Sequence, residues 1–258
     1  MLEDTVVAAS HPPPDDQDDR DTRLRLVADL LQAEYRSGPW HSHGDPVSEL
    51  VSTILSQNTS DINTARAFRS LRSELPTWTD VVNAATSVVA DAIRSGGLAN
   101  TKAPRIQAVL RTIRNEAGDF DLGWLDDLSV EEGRRALTQL PGVGPKTASI
   151  VLLFSLGKPA FPVDTHVHRV CVRLGVVDAR STPEQVQDAV EAEFGDDREA
   201  LYALHRDMIE HGRLICVARR PRCDRCILAP WCDYARQRQG NGTHELDGDV
   251  PASDGAGG

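Results

Sequence analysis

Nine residues, Leu140 to Ala148, constrain this chain more than any others: they read LPGVGPKTA and open the run LPGVGPKTASIVLLFSLGKPAFPVDTHVHRVCV. Two glycines one residue apart, then a proline and a lysine, stand at the start of an apolar helical run, and glycines permit left-handed backbone and bare amides. A tight turn of this kind between two helices points successive N–H groups, backed by a helix N-terminus, at one spot in solvent. That spot suits a phosphate. Pro145 fits the first helical position, so Lys146 falls in the first turn, where the positive end of the helix dipole disfavours its charged form. A helix is expected over 146–156, ending at Gly157. Asp164 then precedes a second, expected over 165–174, as its N-cap. A phosphate cradle, an amine and a carboxylate are the parts of a Schiff-base reaction at a nucleic-acid sugar.

LPGVGPKTA followed by FPVDTHVHRVCVR resembles the helix-hairpin-helix and Gly/Pro-Asp motif of the endonuclease III family of DNA base-excision glycosylases, over about residues 25 to 235. The resemblance implies that Lys146 attacks the sugar C1′, that Asp164 is the essential carboxylate, and that Gly142, Val143 and Gly144 hold the phosphate backbone. It also implies the fold: all-α, with two helical lobes, a helix-hairpin-helix motif, a C-terminal iron–sulfur cluster loop, and the active site in the cleft between the lobes. One lobe would span residues 45–155, and the other 23–44 together with 156–238.

Cys216, Cys223, Cys226 and Cys232 are spaced C-x6-C-x2-C-x5-C, so four thiolates within 17 residues can close round one metal centre. Zinc more often takes two C-x2-C pairs or Cys with His, whereas unequal spacing with one tight pair suits a [4Fe-4S] cluster. The endonuclease III family has this spacing, and the resemblance assigns the cluster as the cofactor. Arg219, Arg220, Arg222 and Arg225 on this loop are placed to meet phosphates. The fifth cysteine, Cys171, lies in an apolar helical stretch as a small buried residue.

The net charge of -11 is more acidic than a DNA-binding chain needs, but its distribution resolves this. Residues 1–22 carry -6 and residues 239–258 carry -4, which leaves -1 on residues 23–238. Both tails are expected to be disordered. Residues 213–238 hold seven arginines against two aspartates, and clustered charge is what steers a protein onto DNA. Only three lysines occur, Lys102, Lys146 and Lys158. Arginine cannot shed its proton to serve as a nucleophile, so a lysine retained in the hairpin is informative. No apolar run has signal-peptide or membrane-span length, and the odd, clustered cysteines argue against a secreted disulfide framework. A reducing, cytoplasmic and nucleoid-associated monomer with no membrane partner is expected.

Apolar residues at helical spacing mark a helix over 23–36, and Asp45-Pro46 opens another over 47–55. LSQNTSD, Leu55 to Asp61, then breaks the chain before a helix over 61–73. The resemblance makes this break the segment that fills the gap left by a flipped base, with Gln57 and Asn58 as the two candidates for the plug. The turn Gly96 to Lys102 resembles the family's GL-x-N-x-KA turn beside the DNA backbone, which implies a phosphate contact for Lys102. Ser129-Val130-Glu131-Glu132 and Thr182-Pro183-Glu184-Gln185 are helix-opening signals, and no strand alternation is long enough for a sheet.

The activity so implied is a bifunctional DNA glycosylase and AP lyase, acting on duplex DNA with damaged bases or abasic sites. It would remove oxidised pyrimidines and cleave 3′ of the abasic site by β-elimination. A monofunctional adenine or thymine mismatch glycosylase is the nearest alternative, and the lysine at 146 counts against it. A non-catalytic iron–sulfur DNA-binding protein would need neither Lys146 nor Asp164.

Overall fold

The computed structural model describes residues 19–240, and no strand occurs among the described residues. The helices are α1 (Asp19–Tyr35), α2 (Pro46–Ser56), α3 (Asp61–Glu74), α4 (Trp78–Asn83), α5 (Thr86–Ala92), α6 (Ala99–Ala117), α7 (Val130–Thr138), α8 (Pro145–Ile150), α9 (Thr165–Leu174), α10 (Pro183–Phe194), α11 (Arg198–Leu214) and α12 (Asp233–Gly240). The sequence signals for helix starts hold at the atomic level. Asp45 caps α2 by accepting from the amides of Val47 and Ser48, with Pro46 first in the helix. Ser129 with Glu132, and Thr182 with Gln185, close reciprocal capping boxes.

Two expectations about the ends change. The segment expected to be disordered over 1–22 is helical from Asp19, and α12 carries the chain through Gly240. Once a helix is anchored by packed residues, each further turn costs little, so it runs past its apolar face. The rest of both acidic tails, 1–18 and 241–258, lies outside the described residues.

Apolar side chains gather into two main clusters. One is built from residues between Val47 and Ala160, with Leu50 and Ile54 of α2, Ile106 and Leu110 of α6, and Ala148 of α8 fully enclosed. The other joins the start of the chain to its end: Leu24, Val27 and Leu31, on one stripe of α1, pack with Val167 and Val170 of α9 and Leu201 and Met208 of α11.

A third, small cluster bridges them. Helix α8 widens into a π-helical turn, Val151–Ser155, and Leu153 and Phe154 of that turn meet Tyr202 of α11 and Trp40. The widened turn leaves carbonyls that the segment before α2 satisfies. Trp40 Nε1 donates to Leu153, the His43 amide to Phe154 and Ser42 Oγ to Ser155, at 2.7, 2.8 and 3.0 Å. Residues 40–43 are thus strapped across the joint.

On α10, Glu191 makes a second bridge. Its Oε1 accepts from Arg134 of α7 at 2.6 Å, the Phe161 amide at 2.7 Å and Gln187 at 3.0 Å. The Arg134 side chain is 13% exposed, and without Glu191 it keeps only the exposed Glu131 carboxylate at 3.0 Å as a charged partner. Glu191→Ala should therefore cost about 3 kcal/mol in denaturant unfolding, as broken buried pairs do. Glu191→Gln, which keeps the bond to the Phe161 amide, should cost less than half of that.

Candidate active site

The hairpin is wound as its glycines require, but they do different work. Gly142 has φ +72°, and a Cβ there would lie 2.6 Å from Nε of Arg105, so both backbone and space demand glycine. Gly144 is in extended backbone, φ -97°, and caps α8 with nothing within 4 Å of where a Cβ would stand. Its amide donates no hydrogen bond among the described residues. Val143 does not contribute a free amide: its side chain is buried and its N–H donates to the Leu140 carbonyl. Within the hairpin triplet, Val143 is the anchor and the glycines are the exposed surface.

Lys146 follows on the first turn of α8, exposed, with no hydrogen-bond or ion-pair partner among the described residues. Asp164 is half-buried at the start of α9, where its Oδ1 accepts from the amides of His166 and Val167, both at 2.8 Å. Two bonds to one oxygen fix the carboxylate and leave Oδ2 without a donor among the described residues.

His205 of α11 lies behind the turn that leads to Asp164, and no sequence motif marks it. The ring is buried, with Nδ1 2.8 Å from the Pro162 carbonyl and its faces against Phe154 and Phe161. Burial lowers its pKa to about 4; the Asp164 charge opposes that shift and the Lys146 charge adds to it, so both lie close enough to act on one imidazole. With Nδ1–H given to the carbonyl, Nε2 is an acceptor. Beyond Phe154 the strap closes the space: the His43 ring meets Phe154 at 4.8 Å, and His41 and Tyr202 meet at 6.0 Å.

The segment between α2 and α3 separates its two candidate plugs by backbone and by bonding. Gln57 is half-buried and its Oε1 accepts from Arg105 Nη1 at 2.8 Å. Asn58 is exposed and left-handed, φ +55°. Leu98, just before α6, is also left-handed, φ +50°, and is 57% exposed. Left-handed backbone costs roughly 1–2 kcal/mol at a non-glycine residue, so strain and an exposed leucine coincide at one position.

Lys102 does not reach a phosphate. It is 3% exposed, and its Nζ donates to the carbonyls of Leu55 and Gly96 at 2.7 and 2.8 Å. Its pKa is lowered by burial. The sequence identified the turn, but only the packing of α6 under α2 reveals which way the side chain points.

The four cysteines line one cavity together with Val170, Arg173 and His211. Burial raises the thiols of Cys223 and Cys232, and that of Cys226 to about 11, so they need a strong positive partner to ionise. Arg173 is built for an anionic occupant. Its Nη1 and Nη2 hold the Val217 and Ala218 carbonyls at 2.8 Å, Nη1 reaches Cys216 Sγ at 3.4 Å, and its buried Nε has no acceptor. A thiolate-ligated [4Fe-4S] cluster fits this donor set. Arg219, Arg220, Arg222 and Arg225 are exposed on the same loop, and Arg222 also donates to the Leu214 carbonyl at 3.0 Å. Cys171 is buried, as its setting implied, with its thiol raised to about 12.

Comparison with known proteins places the chain. The model of the HhH-GPD superfamily base excision DNA repair protein family matches residues 51–194. An endonuclease III of Thermotoga maritima is 39% identical over 77% of this chain and 87% of its own. A longer Arabidopsis thaliana protein, whose name classes it as a DNA glycosylase, is 42% identical over 62% of this chain, which spans 52% of its length. A solved structure of a trapped endonuclease III–DNA covalent intermediate superposes with a TM-score of 0.72 at 27% identity, covering 85% of this chain and 98% of that one.

The neutral His205 has a consequence for acid stability. An unfolded histidine takes a proton near pH 6.5, whereas the native ring takes one only near pH 4, so between these values the unfolded chain binds more protons. Stability against denaturant should fall as pH is lowered from 6.5 towards 4, and His205→Gln, which can still donate to Pro162, should flatten that slope.

Proposed function

The chain belongs to the HhH-GPD superfamily of base excision DNA repair proteins and is a DNA glycosylase, and we propose that it is bifunctional, excising oxidised pyrimidines from duplex DNA and cleaving the resulting abasic site. One observation carries this reading: an exposed lysine without a partner among the described residues stands in the first turn of α8, and a capped carboxylate with one free oxygen opens α9. A glycosylase that only hydrolyses the bond to the base needs the carboxylate and a water. The lysine adds a nucleophile.

In this mechanism the Gly144 amide and the start of α8 hold a phosphate, while the arginines of the cysteine loop hold others, which gives affinity without sequence choice. The base leaves the stack at a cost of a few kcal/mol, lowest at a damaged pair. Asn58 fills the vacated space and Leu98 wedges beside it, while Gln57 stays with Arg105. Lys146 Nζ then forms a bond to C1′ as the base departs with its electron pair, and ring opening gives an imine. Loss of a proton from C2′ expels the 3′ phosphate. Asp164 Oδ2 stabilises the positive charge that develops on the sugar and accepts the proton that the amine releases. Cys216, Cys223, Cys226 and Cys232 would hold the [4Fe-4S] cluster, whose contribution is to fold the arginine-bearing loop. The protein acts on DNA as a monomer at the nucleoid, and no helix among the described residues is long and apolar enough to cross a membrane.

Borohydride should trap the protein covalently on duplex DNA carrying thymine glycol, and Lys146→Ala should give no adduct. Alkali-sensitive sites without an adduct would instead identify a monofunctional enzyme. Purified protein should contain iron and acid-labile sulfide in equal amounts, and Cys223→Ala should lose both along with its affinity for undamaged duplex.

A further inference from the structure

Three segments that the proposed function sends to DNA start or end against a single turn of α6. Lys102, on the first turn, bonds the carbonyl of Leu55, two residues before the Gln57–Asn58 break, and the carbonyl of Gly96, two residues before Leu98. Arg105, one turn on and so on the same face, donates to Gln57 and lies under Gly142 of the hairpin, where even a Cβ would meet its Nε. The Lys102 ammonium has no carboxylate partner among the described residues; its hydrogen bonds are to carbonyls. A buried cation without a counter-charge carries a desolvation cost, and removing it would leave two buried carbonyls without a donor. Here the cation alone can hold two carbonyls from separate loops at once.

We propose that Lys102 is a positioning residue that holds the Asn58 and Leu98 loops in one register, so that both enter the duplex together. The two strained, exposed side chains stand on loops joined through one nitrogen, and Arg105 extends the link to the hairpin that grips the backbone. This inference rests on the reading of the chain as an enzyme that opens duplex DNA, and it concerns the insertion step alone. No chemistry passes through Lys102.

The test uses the full chain and Lys102→Met, of similar length but with no donor, on a duplex carrying a tetrahydrofuran abasic analogue opposite 2-aminopurine. Saturating wild-type protein should raise the 2-aminopurine fluorescence as the plug displaces the orphaned base. Lys102→Met, which leaves the Leu55 and Gly96 carbonyls without their donor, should melt lower than wild type yet stay folded, bind, and lose most of that rise. Cleavage of a natural abasic site should drop by up to about 100-fold in duplex DNA, the scale of a misplaced group, and stay within twofold in single-stranded DNA, which has no stack to enter. Unchanged fluorescence and duplex cleavage would overturn the proposal, and so would equal losses on both forms of DNA, which a merely structural lysine would produce. Should Lys102→Met fail to fold, Lys102→Gln, whose side chain is one bond shorter and cannot hold both carbonyls where Nζ holds them, is read against wild type on the same criteria. If wild-type protein cleaves neither form, the lyase reading fails, while the fluorescence comparison still decides the role of Lys102.

Discussion

A carboxylate that caps a helix is held by that helix, and here it ties the reacting groups to the cysteine loop. Asp164 begins α9. In its second turn Arg169 donates to the carbonyls of Cys216 and Gly212, and one turn beyond that Arg173 takes the Val217 and Ala218 carbonyls. Cys232 in turn donates to the carbonyl of Arg173. One ten-residue helix therefore fixes the carboxylate at its start and the cysteine loop along its side, so whatever orders that loop bears on where the carboxylate stands.

The opposing wall depends on satisfied carbonyls rather than on charge. The π-helical turn after α8 is stable because residues 40–43 donate to three of its carbonyls, and the same residues set His41 and His43 over Phe154 and Tyr202. This strap lies before residues 51–194, the segment that the family model matches.

What could be read from the sequence had local causes. The caps of α2, α7 and α10 follow from hydrogen bonds within four residues, and the hairpin glycines, Lys146, Asp164 and the cysteines stand in compact motifs. What could not be read is set by tertiary contact. Lys102 sits in a turn that reads as surface, yet its stem passes under α2. Gln57 and Asn58 are chemically alike and adjacent, and only the left-handed backbone at Asn58 and the Arg105 bond to Gln57 distinguish them. His205 belongs to no motif, since its partners come from residues 154, 161 and 162.

The route of the chain through its two large apolar clusters also orders its assembly. The cluster between Val47 and Ala160 is contiguous in sequence, so everything it needs has left the ribosome once that stretch is made. The other cannot close until α11 arrives to cover α1, more than 160 residues after α1 itself. Contacts so distant in sequence form late. A nascent chain therefore completes the stretch that carries its hairpin and Lys146 well before the helix that Asp164 caps can pack against α11.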